Sequence, residues 1–348
     1  MPLQFIRRHF ARALGIDLGT ANSLVYERQK GVIIQEPSVV AVHRISGELL
    51  AIGREAYKMV GRTPGDIVVM RPLKQGVIAD FDITREMLKY LIKKASRGKP
   101  FLKPIAVVSI ASQTTEVEKR AVQQAALGAG ARDVFLLEEP IAAAIGMEIP
   151  VQEPEGHMVV DIGGGTTDIG VIALGGVVTG LSLRIGGDTL DEHIVRFIRR
   201  KYNLMIGERT AEELKIRIGQ AVITENKTCP VRGRDQVSGL PKSVDISSEE
   251  LVEAMEEPMS HIVGGIRATI EHTPPELLAD IMHKQIFLTG GGALLANWDR
   301  KIFDEIGMEA KVSQTALQDV ALGTGKVLES VALLKRVIVP LRKVQAKK

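Results

Sequence analysis

Two short stretches that follow one plan decide the fold. Residues 14–20 read LGIDLGT, and residues 159–168 read VVDIGGGTTD. Each begins with an apolar run typical of a buried strand, continues with an aspartate, and ends in a glycine turn with hydroxyl side chains. Their aspartates, Asp17 and Asp161, stand 144 positions apart (161 − 17). Two matched copies predict two similar lobes that each contribute one loop to a shared cleft.

The turns of both stretches suit a phosphate ligand. Glycine lets the backbone approach a ligand and point successive N–H groups at it. Hydroxyl donors come from Thr20, Ser23, Thr166 and Thr167. Asp17 and Asp161 would repel phosphate unless a divalent cation lay between, and Mg²⁺ commonly keeps its waters while carboxylates hold them. The pattern therefore predicts a metal–nucleotide complex.

A third glycine loop supports this interpretation. Residues 288–295 read LTGGGALL, which follows a strand candidate and opens a helix. That layout allows a base or sugar to approach closely. A single Asp-x-Gly turn occurs at many strand ends without any function, but three such loops in one chain indicate a binding site.

The composition indicates a folded globular protein. Its 348 residues are 45% hydrophobic, enough for two domains or one large two-lobed body. Charged residues make up 25% with a net charge of +3, and no basic stretch interleaved with aromatics indicates nucleic-acid binding. The single cysteine, Cys229, excludes an internal disulfide and fits a reducing compartment. The apolar runs are far shorter than the roughly 20 residues of a membrane-spanning helix, and we expect no secretory signal.

Short β-rich runs alternate with amphipathic helical stretches, as is typical of an α/β protein. The strand candidates are residues 13–16, 105–110, 158–162, 169–174 and 285–288. Capping boxes predict helix starts at Thr115 with Glu118 and at Ser247 with Glu250. Apolar residues at helical spacing predict a helix over residues 188–201, and the Gly- and Pro-rich residues 226–244 predict a hairpin or loop.

Residues 323–326 read GTGK and are similar to part of a Walker loop. Val320 and Val327, however, stand where that motif needs a glycine and a hydroxyl residue. We interpret the stretch as a helix whose small residues allow close packing.

The order of the motifs resembles the actin, Hsp70 and sugar-kinase superfamily. It consists of DLGT at 17–20, EEPIAAA at 138–144, the aspartate loop at 161–168 and TGGG at 289–292. Within the superfamily the chain is similar to the MreB-like bacterial actins, through Asn22 and residues 36–38, 71–72, 76–80, 207–212 and 273–277. The resemblance covers residues 13–336. It implies an α/β, actin-like ATPase fold, with two RNase H-like lobes around a nucleotide cleft and a smaller subdomain on each lobe.

The resemblance also implies domain boundaries. The expected core of the first lobe comprises residues 13–37, 74–152 and 317–340, and its small subdomain comprises residues 38–73. The expected core of the second lobe comprises residues 153–189 and 247–316, and its small subdomain comprises residues 190–246. Residues 1–12 would form an amphipathic membrane-binding segment and residues 341–348 a basic tail.

The implied catalytic residues are Glu139, Asp17 and Asp161, with ATP and Mg²⁺ as cofactors. Asp17 and Asp161 would hold the metal through water, and Glu139 matches the position that orients the attacking water in this family. Glu138 beside it would be structural. The residues expected around the phosphates are Gly19, Thr20, Ala21, Asn22, Gly163, Gly164, Gly165 and Thr166.

The remaining pocket residues are also implied by resemblance. Glu212 and Lys215 match a pair that contacts the ribose, although their spacing alone favours a surface ion pair. Gly187, Gly290, Gly291 and Gly292 would close the pocket from the second lobe. One departure concerns residues 109–114, SIASQT, where the family usually has a turn containing Val-Pro. We expect this departure not to touch the nucleotide residues.

Two segments predict contact with a membrane surface. Leu3, Ile6 and Phe10 fall at helical spacing among arginines, with Phe5 off that face; a frayed terminus or a piece of core is the alternative. Phe101 and Leu102 are bracketed by lysines and prolines, at the position of a loop that inserts into the bilayer in MreB-like proteins.

The resemblance implies a bacterial actin homologue that hydrolyses ATP slowly and forms paired protofilaments on the inner face of the cytoplasmic membrane. It would organise cell-wall synthesis and rod shape together with membrane proteins of the elongation machinery. Three alternatives stay open: an Hsp70-like chaperone, a small-molecule kinase of the same superfamily, and a scaffold that binds nucleotide without hydrolysis. The chaperone would need a peptide-binding domain after Leu334, and Glu139 disfavours the scaffold.

Overall fold

The computed structural model describes residues 13–96 and 103–339. Its strands are β1 Ala13–Leu18, β2 Asn22–Glu27, β3 Gly31–Pro37, β4 Val40–His43, β5 Leu49–Ile52, β6 Ile67–Met70, β7 Leu73–Lys74, β8 Val77–Ile78, β9 Ile105–Ile110, β10 Asp133–Glu138, β11 His157–Ile162, β12 Thr167–Ala173, β13 Gly176–Leu183, β14 Leu204–Met205, β15 Thr228–Asp235, β16 Pro241–Ser247, β17 Ile286–Thr289 and β18 Ala310–Val312. Its helices are α1 Arg54–Met59, α2 Phe81–Ala95, α3 Glu116–Gly128, α4 Glu139–Gly146, α5 Gly187–Tyr202, α6 Glu208–Ile218, α7 Ser248–Glu271, α8 Pro275–His283, α9 Trp298–Ile306, α10 Asp319–Val327 and α11 Val331–Val337, with a 3-10 turn at Gly291–Leu294.

Two five-stranded sheets share one topology. The first has the order β10-β9-β1-β2-β3 and the second the order β13-β12-β11-β17-β18. In each, the central strand pairs antiparallel with the strand that follows it in the chain and parallel with a strand from much later. The prediction of two similar lobes from the repeated motif is confirmed. We call the parts built on these sheets the first and second lobes.

The predicted elements are confirmed with small shifts at their ends. The five strand candidates correspond to β1, β9, β11, β12 and β17. Both capping boxes form, at the starts of α3 and α7, because the Thr115 and Ser247 hydroxyls accept from the third backbone N–H of each helix. Residues 188–201 lie in α5, and residues 226–244 cover most of the hairpin formed by β15 and β16, which continues to Ser247.

Each lobe carries a smaller sheet. The sheet β5-β4-β6 packs with α1, and its core is formed by Val39, Ala41 and Ala56. The sheet β14-β15-β16 belongs to the second lobe, whose large core includes Cys229 and Val231 of β15. The domain boundaries given above stay predictions.

Helices α4 and α10 join the lobes at their base. One apolar cluster contains Val107 and Leu137 from the first sheet, Val159 and Ile172 from the second, and Val320 from α10. At Gly323 a side chain would collide with the carbonyl oxygen of Ala142, so the two helices approach backbone to backbone. The helical interpretation of residues 323–326 is confirmed.

No helix in the described ranges is long and apolar enough to cross a membrane. The predicted membrane residues Leu3, Phe5, Ile6, Phe10, Phe101 and Leu102 lie outside those ranges, as does the basic tail at 341–348.

Candidate functional site

A cavity of about 620 Å³ lies between the carboxyl ends of β1 and β11. Its volume falls in the range that small-molecule ligands occupy, about 300–1,000 Å³. The structure brings these predicted catalytic and nucleotide-binding residues to its wall: Asp17, Gly19, Thr20, Ala21, Asn22, Glu139, Asp161, Gly163, Gly164, Gly165, Thr166, Gly187, Glu212, Lys215, Gly290, Gly291 and Gly292. The predicted hydroxyl donors Ser23 and Thr167 are not on the wall: both are fully buried, Ser23 bonds to the Ser38 hydroxyl at 2.8 Å, and Thr167 donates to the Ile185 carbonyl at 2.8 Å.

The two aspartate loops touch each other across the cavity floor. A Cβ on Gly164 would lie 2.6 Å from the Cβ of Ala21, and a Cβ on Gly165 would lie 2.7 Å from Thr20 Oγ1. Any larger residue would push the loops apart, because such separations are shorter than real carbon contacts. The glycines therefore set how closely the lobes approach at the site.

The start of α5 fixes the loop of the second lobe. The Gly187 N–H donates to the Gly163 carbonyl at 2.9 Å, and the Asp188 N–H donates to the Gly164 carbonyl at 2.8 Å. The third loop adds Gly290, which adopts a left-handed φ of 84° and leaves no room for a side chain beside Asp161. Only glycine adopts this conformation without strain.

Four carboxyl groups lie close together at the cavity floor: Asp17, Asp161 and Glu139 line the cavity, and Asp168 is buried beside Asp161. Asp161 of β11 and Asp168 of β12 are direct cross-strand partners, so their side chains project from the same face of the sheet. Burial raises the pKa of Asp17 to about 6. Burial also raises the pKa of Glu139 well above its ordinary value, and the negative charges of Asp168, Asp161 and Asp17 raise it further.

These carboxyl groups fit a cation between them. The pKa of Asp161 is likewise raised well above its ordinary value, first by burial and then by the charges of Asp168, Asp17 and Asp319. Like charges held this close in a poorly hydrated place favour the protonated form unless a cation compensates them. Oxygen ligands of this kind suit Mg²⁺ and its bound water. The described ranges contain no group of three His, Cys, Asp or Glu placed to hold a metal ion directly.

The expectation for residues 109–114 is wrong. The Ser109 hydroxyl donates to Asp17 Oδ1 at 3.0 Å, and the Ser112 N–H donates to Asp168 Oδ1 at 2.9 Å. The cause is the sheet register: Ile16 of β1 pairs with Val108 of β9, which places the next residue of each strand side by side. The segment that departs from the family pattern therefore contacts two of the buried carboxylates.

Glu212 and Lys215 do not pair with each other. Lys215 Nζ donates to the Gly187 carbonyl at 2.8 Å and lies 2.9 Å from Asp191 Oδ1, with both side chains largely buried. Burial raises the pKa of Asp191 to about 7, against the lowering effect of Lys215. Glu212 instead accepts a hydrogen bond from Tyr57, at 2.9 Å.

Sequence reasoning missed several residues of the site. Asp168 is the last residue of the second aspartate motif, and its position there is the signal that could have identified it. Asp319 begins α10, is fully buried, and accepts from Thr289 Oγ1 at 2.8 Å and from Thr315 Oγ1 at 2.5 Å. Neither Asp319 nor Tyr57 stands in a recognisable motif, because their partners come from distant parts of the chain.

Known proteins match this chain over most of its length. A family model described as MreB/Mbl protein matches residues 11–336. The cell shape-determining protein Mbl of Bacillus cereus (strain ATCC 10987 / NRS 248) is 47% identical over 328 residues, which cover 94% of this chain and 98% of that protein. The cell shape-determining protein MreB of Escherichia coli (strain K12) is 46% identical over 336 residues, which cover 94% of this chain and 96% of that protein.

Solved structures also match this chain over most of its length. The crystal structure of MreB5 of Spiroplasma citri bound to ADP matches with a TM-score of 0.88 and 39% identity, covering 94% of this chain and 98% of that one. The double helical filament of MamK matches with a TM-score of 0.79 at 22% identity, covering 92% of this chain and 99% of that one, a likeness of fold. The fold is thus actin-like, and the sequence matches span nearly the whole chain. The chain belongs to the MreB/Mbl family.

Proposed function

We propose that this protein is a bacterial actin that binds and slowly hydrolyses ATP and forms membrane-associated filaments, which organise cell-wall synthesis and maintain rod cell shape. The observation that carries the proposal is the cavity in which two matched aspartate loops, one from each lobe, meet beside Glu139. Family relatives are named cell shape-determining proteins, and MreB5 structures contain ADP or AMPPNP.

The loops would hold the nucleotide. Backbone N–H groups and hydroxyls of residues 19–22 and 163–166 would face the phosphates, since glycine turns of this kind bind anions. Asp17 and Asp161 would hold Mg²⁺ through its waters, with Ser109 fixing the Asp17 carboxylate. When bound, Mg²⁺ neutralises charge that develops on the phosphate oxygens. Glu212 and Lys215 would lie at the sugar, and Gly290, Gly291 and Gly292 would approach the base.

Glu139 would orient the water that attacks the terminal phosphate. It begins α4, and the buried Pro140 behind it fixes the backbone there. Its carboxyl faces the same floor as Asp17, Asp161 and Asp168. A carboxylate accepts the proton of an attacking water only when ionised, so cation charge near this group favours the competent form.

Filaments and membrane binding rest on family membership and on the sequence of the termini and the 101–102 loop. We propose self-assembly into paired protofilaments at the inner face of the cytoplasmic membrane, with membrane proteins of the elongation machinery as partners. An apolar contact of about 1.5–3 kcal/mol per side chain anchors a monomer weakly, whereas a polymer presents many copies at once. Membership of the MreB/Mbl family disfavours the kinase and chaperone alternatives.

The deciding experiment uses purified full-length protein and lipid vesicles, with Mg-ATP, with Mg-ADP, or with ATP and excess EDTA. Pelleting and electron microscopy should show paired filaments on the vesicles only with Mg-ATP. Filaments that form equally well without nucleotide would contradict the proposed role of the cavity. A soluble monomer that binds ATP and never polymerises would return the kinase alternative to first place.

A further inference from the structure

A hydrogen bond crosses the mouth of the cleft. Tyr57 lies on the short helix α1 of the first lobe, and Glu212 lies on α6 of the second lobe. The Tyr57 hydroxyl donates to Glu212 Oε2 at 2.9 Å, although the two residues are 155 positions apart in the chain. Glu212 also lines the cavity, so this contact joins the rim of one lobe to a wall residue of the other.

The environment of Tyr57 keeps its hydroxyl a donor. Burial and the neighbouring Glu212 raise the pKa of Tyr57 to about 12, so the phenol stays protonated throughout the physiological range. The Arg209 guanidinium lies 5.7 Å from the centre of the Tyr57 ring, within the distance of a cation–π contact. Arg209 is itself held by Glu213 at 3.0 Å. The ring is therefore fixed from the second lobe.

A second polar contact also joins a first-lobe side chain to a second-lobe carboxylate. Arg71 of the first lobe lies 3.1 Å from Asp188 Oδ2, at the start of α5, and also donates to the Thr20 carbonyl at 3.3 Å. Arg71 and Asp188 lie beside the loops that we propose to face the phosphates. Tyr57 instead contacts Glu212, on the cavity wall formed by α6. The two contacts thus close different ends of one cleft.

We propose that Tyr57 is a positioning residue: it holds the Glu212 carboxylate so that this group accepts a hydrogen bond from a sugar hydroxyl of the bound nucleotide. The inference rests on the proposed function. The Tyr57 hydroxyl bonds to Oε2 of Glu212, which leaves Oε1 of Glu212 for the ligand. A free glutamate on an exposed helix samples several rotamers, so fixing it beforehand reduces the entropy lost on binding.

Selectivity for the sugar follows from this arrangement. A site built to hydrogen-bond a ligand hydroxyl discriminates against an analogue that lacks the hydroxyl, because the buried acceptor is then left unpaired. Tyr57→Phe removes the donor and keeps the ring beside Arg209. We expect the preference for ATP over 2′-deoxy-ATP or over 3′-deoxy-ATP to fall by about three- to tenfold, the size of one weakened hydrogen bond.

The test measures binding of radiolabelled ATP, 2′-deoxy-ATP and 3′-deoxy-ATP with Mg²⁺ by equilibrium dialysis, below the concentration at which the protein pellets. Tyr202→Phe is the matched control, since Tyr202 also donates to a glutamate, Glu250, far from the cavity. It should keep the parent's preference. Glu212→Gln provides a second variant if Tyr57→Phe does not fold, and it should lose the same preference.

Two results would contradict the proposed role of Tyr57. If Tyr57→Phe weakens all three nucleotides equally, or leaves both preferences at the parent's values, Tyr57 does not position Glu212. If the parent itself fails to bind ATP, the proposed function fails rather than this inference, so the two failures are told apart by the parent measurement.

Discussion

The residues that matter most at this site are carboxylates whose charges are not compensated by the protein alone. Asp161, Asp168 and Glu139 come from a strand end, its neighbouring strand and a helix start, and each has a raised pKa caused first by burial. Structural carboxylates usually have the opposite shift, as at Glu250, where Lys201, Tyr202 and the Ser247 N–H lower the pKa to about 2 despite partial burial. The contrast supports the proposal that these carboxylates belong to a ligand site, because perturbed pKa values cluster at functional sites.

The role of Glu139 is tested by a neutral isostere. Glu139→Gln should reduce phosphate release from ATP by about 10²-fold, because a positioned general base contributes roughly that much, while ATP binding persists. Glu138→Gln is the control, since Glu138 precedes α4 and is not among the residues that line the cavity. Phosphate release is measured in a coupled assay at saturating Mg-ATP. If Glu139→Gln released phosphate at the parent's rate, Glu139 would not be the residue that orients the attacking water.

Asp319 should stabilise the joint between the third glycine loop and α10. Asp319→Ala removes the carboxylate that accepts from the Thr289 and Thr315 hydroxyls and leaves Thr289 only its longer bond to the Ala316 carbonyl, at 3.2 Å, so we expect a loss of about 1–3 kcal/mol in the free energy of unfolding. Thr289→Val removes the hydroxyl that donates to Asp319, and it should lower the free energy of unfolding by less than Asp319→Ala does. The double variant should be less destabilised than the two single changes together, because they remove one shared bond. Urea unfolding measures all three variants, and strict additivity would show that the bond does not couple them.

At the scale of elements, α4 and α10 form the joint between the lobes. α4 is almost wholly buried, and α10 packs against it through small residues rather than interlocking large ones. Both helices contribute to the apolar cluster that includes residues of both sheets. Movement of one lobe against the other must therefore be accommodated where these two helices touch.

Two glycine-to-alanine changes should have opposite signs. Gly323→Ala places a methyl group against the Ala142 carbonyl, so overpacking should destabilise the protein by about 1–3 kcal/mol. Gly264→Ala on the exposed face of α7 meets nothing within 4 Å and should stabilise by about 0.5–1 kcal/mol, because alanine has the better helix propensity. Thermal unfolding midpoints compare the two. A neutral Gly323→Ala would mean that the helices separate easily.

At the scale of the whole molecule, the protein consists of two lobes with the same sheet topology. The lobes are packed together at the base of the cleft and are joined less tightly at its mouth. The two sheets carry the same strand order, and their central strands both end in an aspartate loop. The shared apolar cluster closes the base. Among the described residues, the contacts that cross the mouth include the bonds from Tyr57 to Glu212 and from Arg71 to Asp188 and the cation–π contact between Arg209 and Tyr57. Single hydrogen bonds and ion pairs of this kind are worth little in water, so the mouth can open at low cost.

We propose membrane binding as a property of the assembled protein. Deleting residues 1–12 and replacing Phe101 and Leu102 with serine should then abolish co-sedimentation with liposomes, because the apolar side chains that we propose to enter the bilayer are lost. Phe303→Ser with Leu174→Ser is the control, since it removes the same two residue types from exposed positions elsewhere. Unchanged sedimentation of the first variant would refute the membrane proposal. Loss in both variants would indicate a general defect.

The sequence by itself determined the two-lobed plan, the principal strands, both capping boxes and the three glycine loops that line the cavity. Each of these depends on contiguous residues: apolar alternation specifies a strand, a hydroxyl three residues before a glutamate specifies a helix start, and a glycine turn after a strand specifies a loop at its end. The resemblance to MreB-like actins then supplied roles for the residues in those loops.

Only the tertiary structure decided which side chains from distant segments meet. The bond from Ser109 to Asp17 follows from the parallel register of β1 and β9, a pairing between segments about ninety residues apart that no local pattern encodes. The contacts of Tyr57 with Glu212 and of Asp319 with Thr289 depend on how the two lobes are set against each other. Such contacts arise from packing of whole elements, because a side chain acquires its partner only after the surrounding core has fixed both backbones.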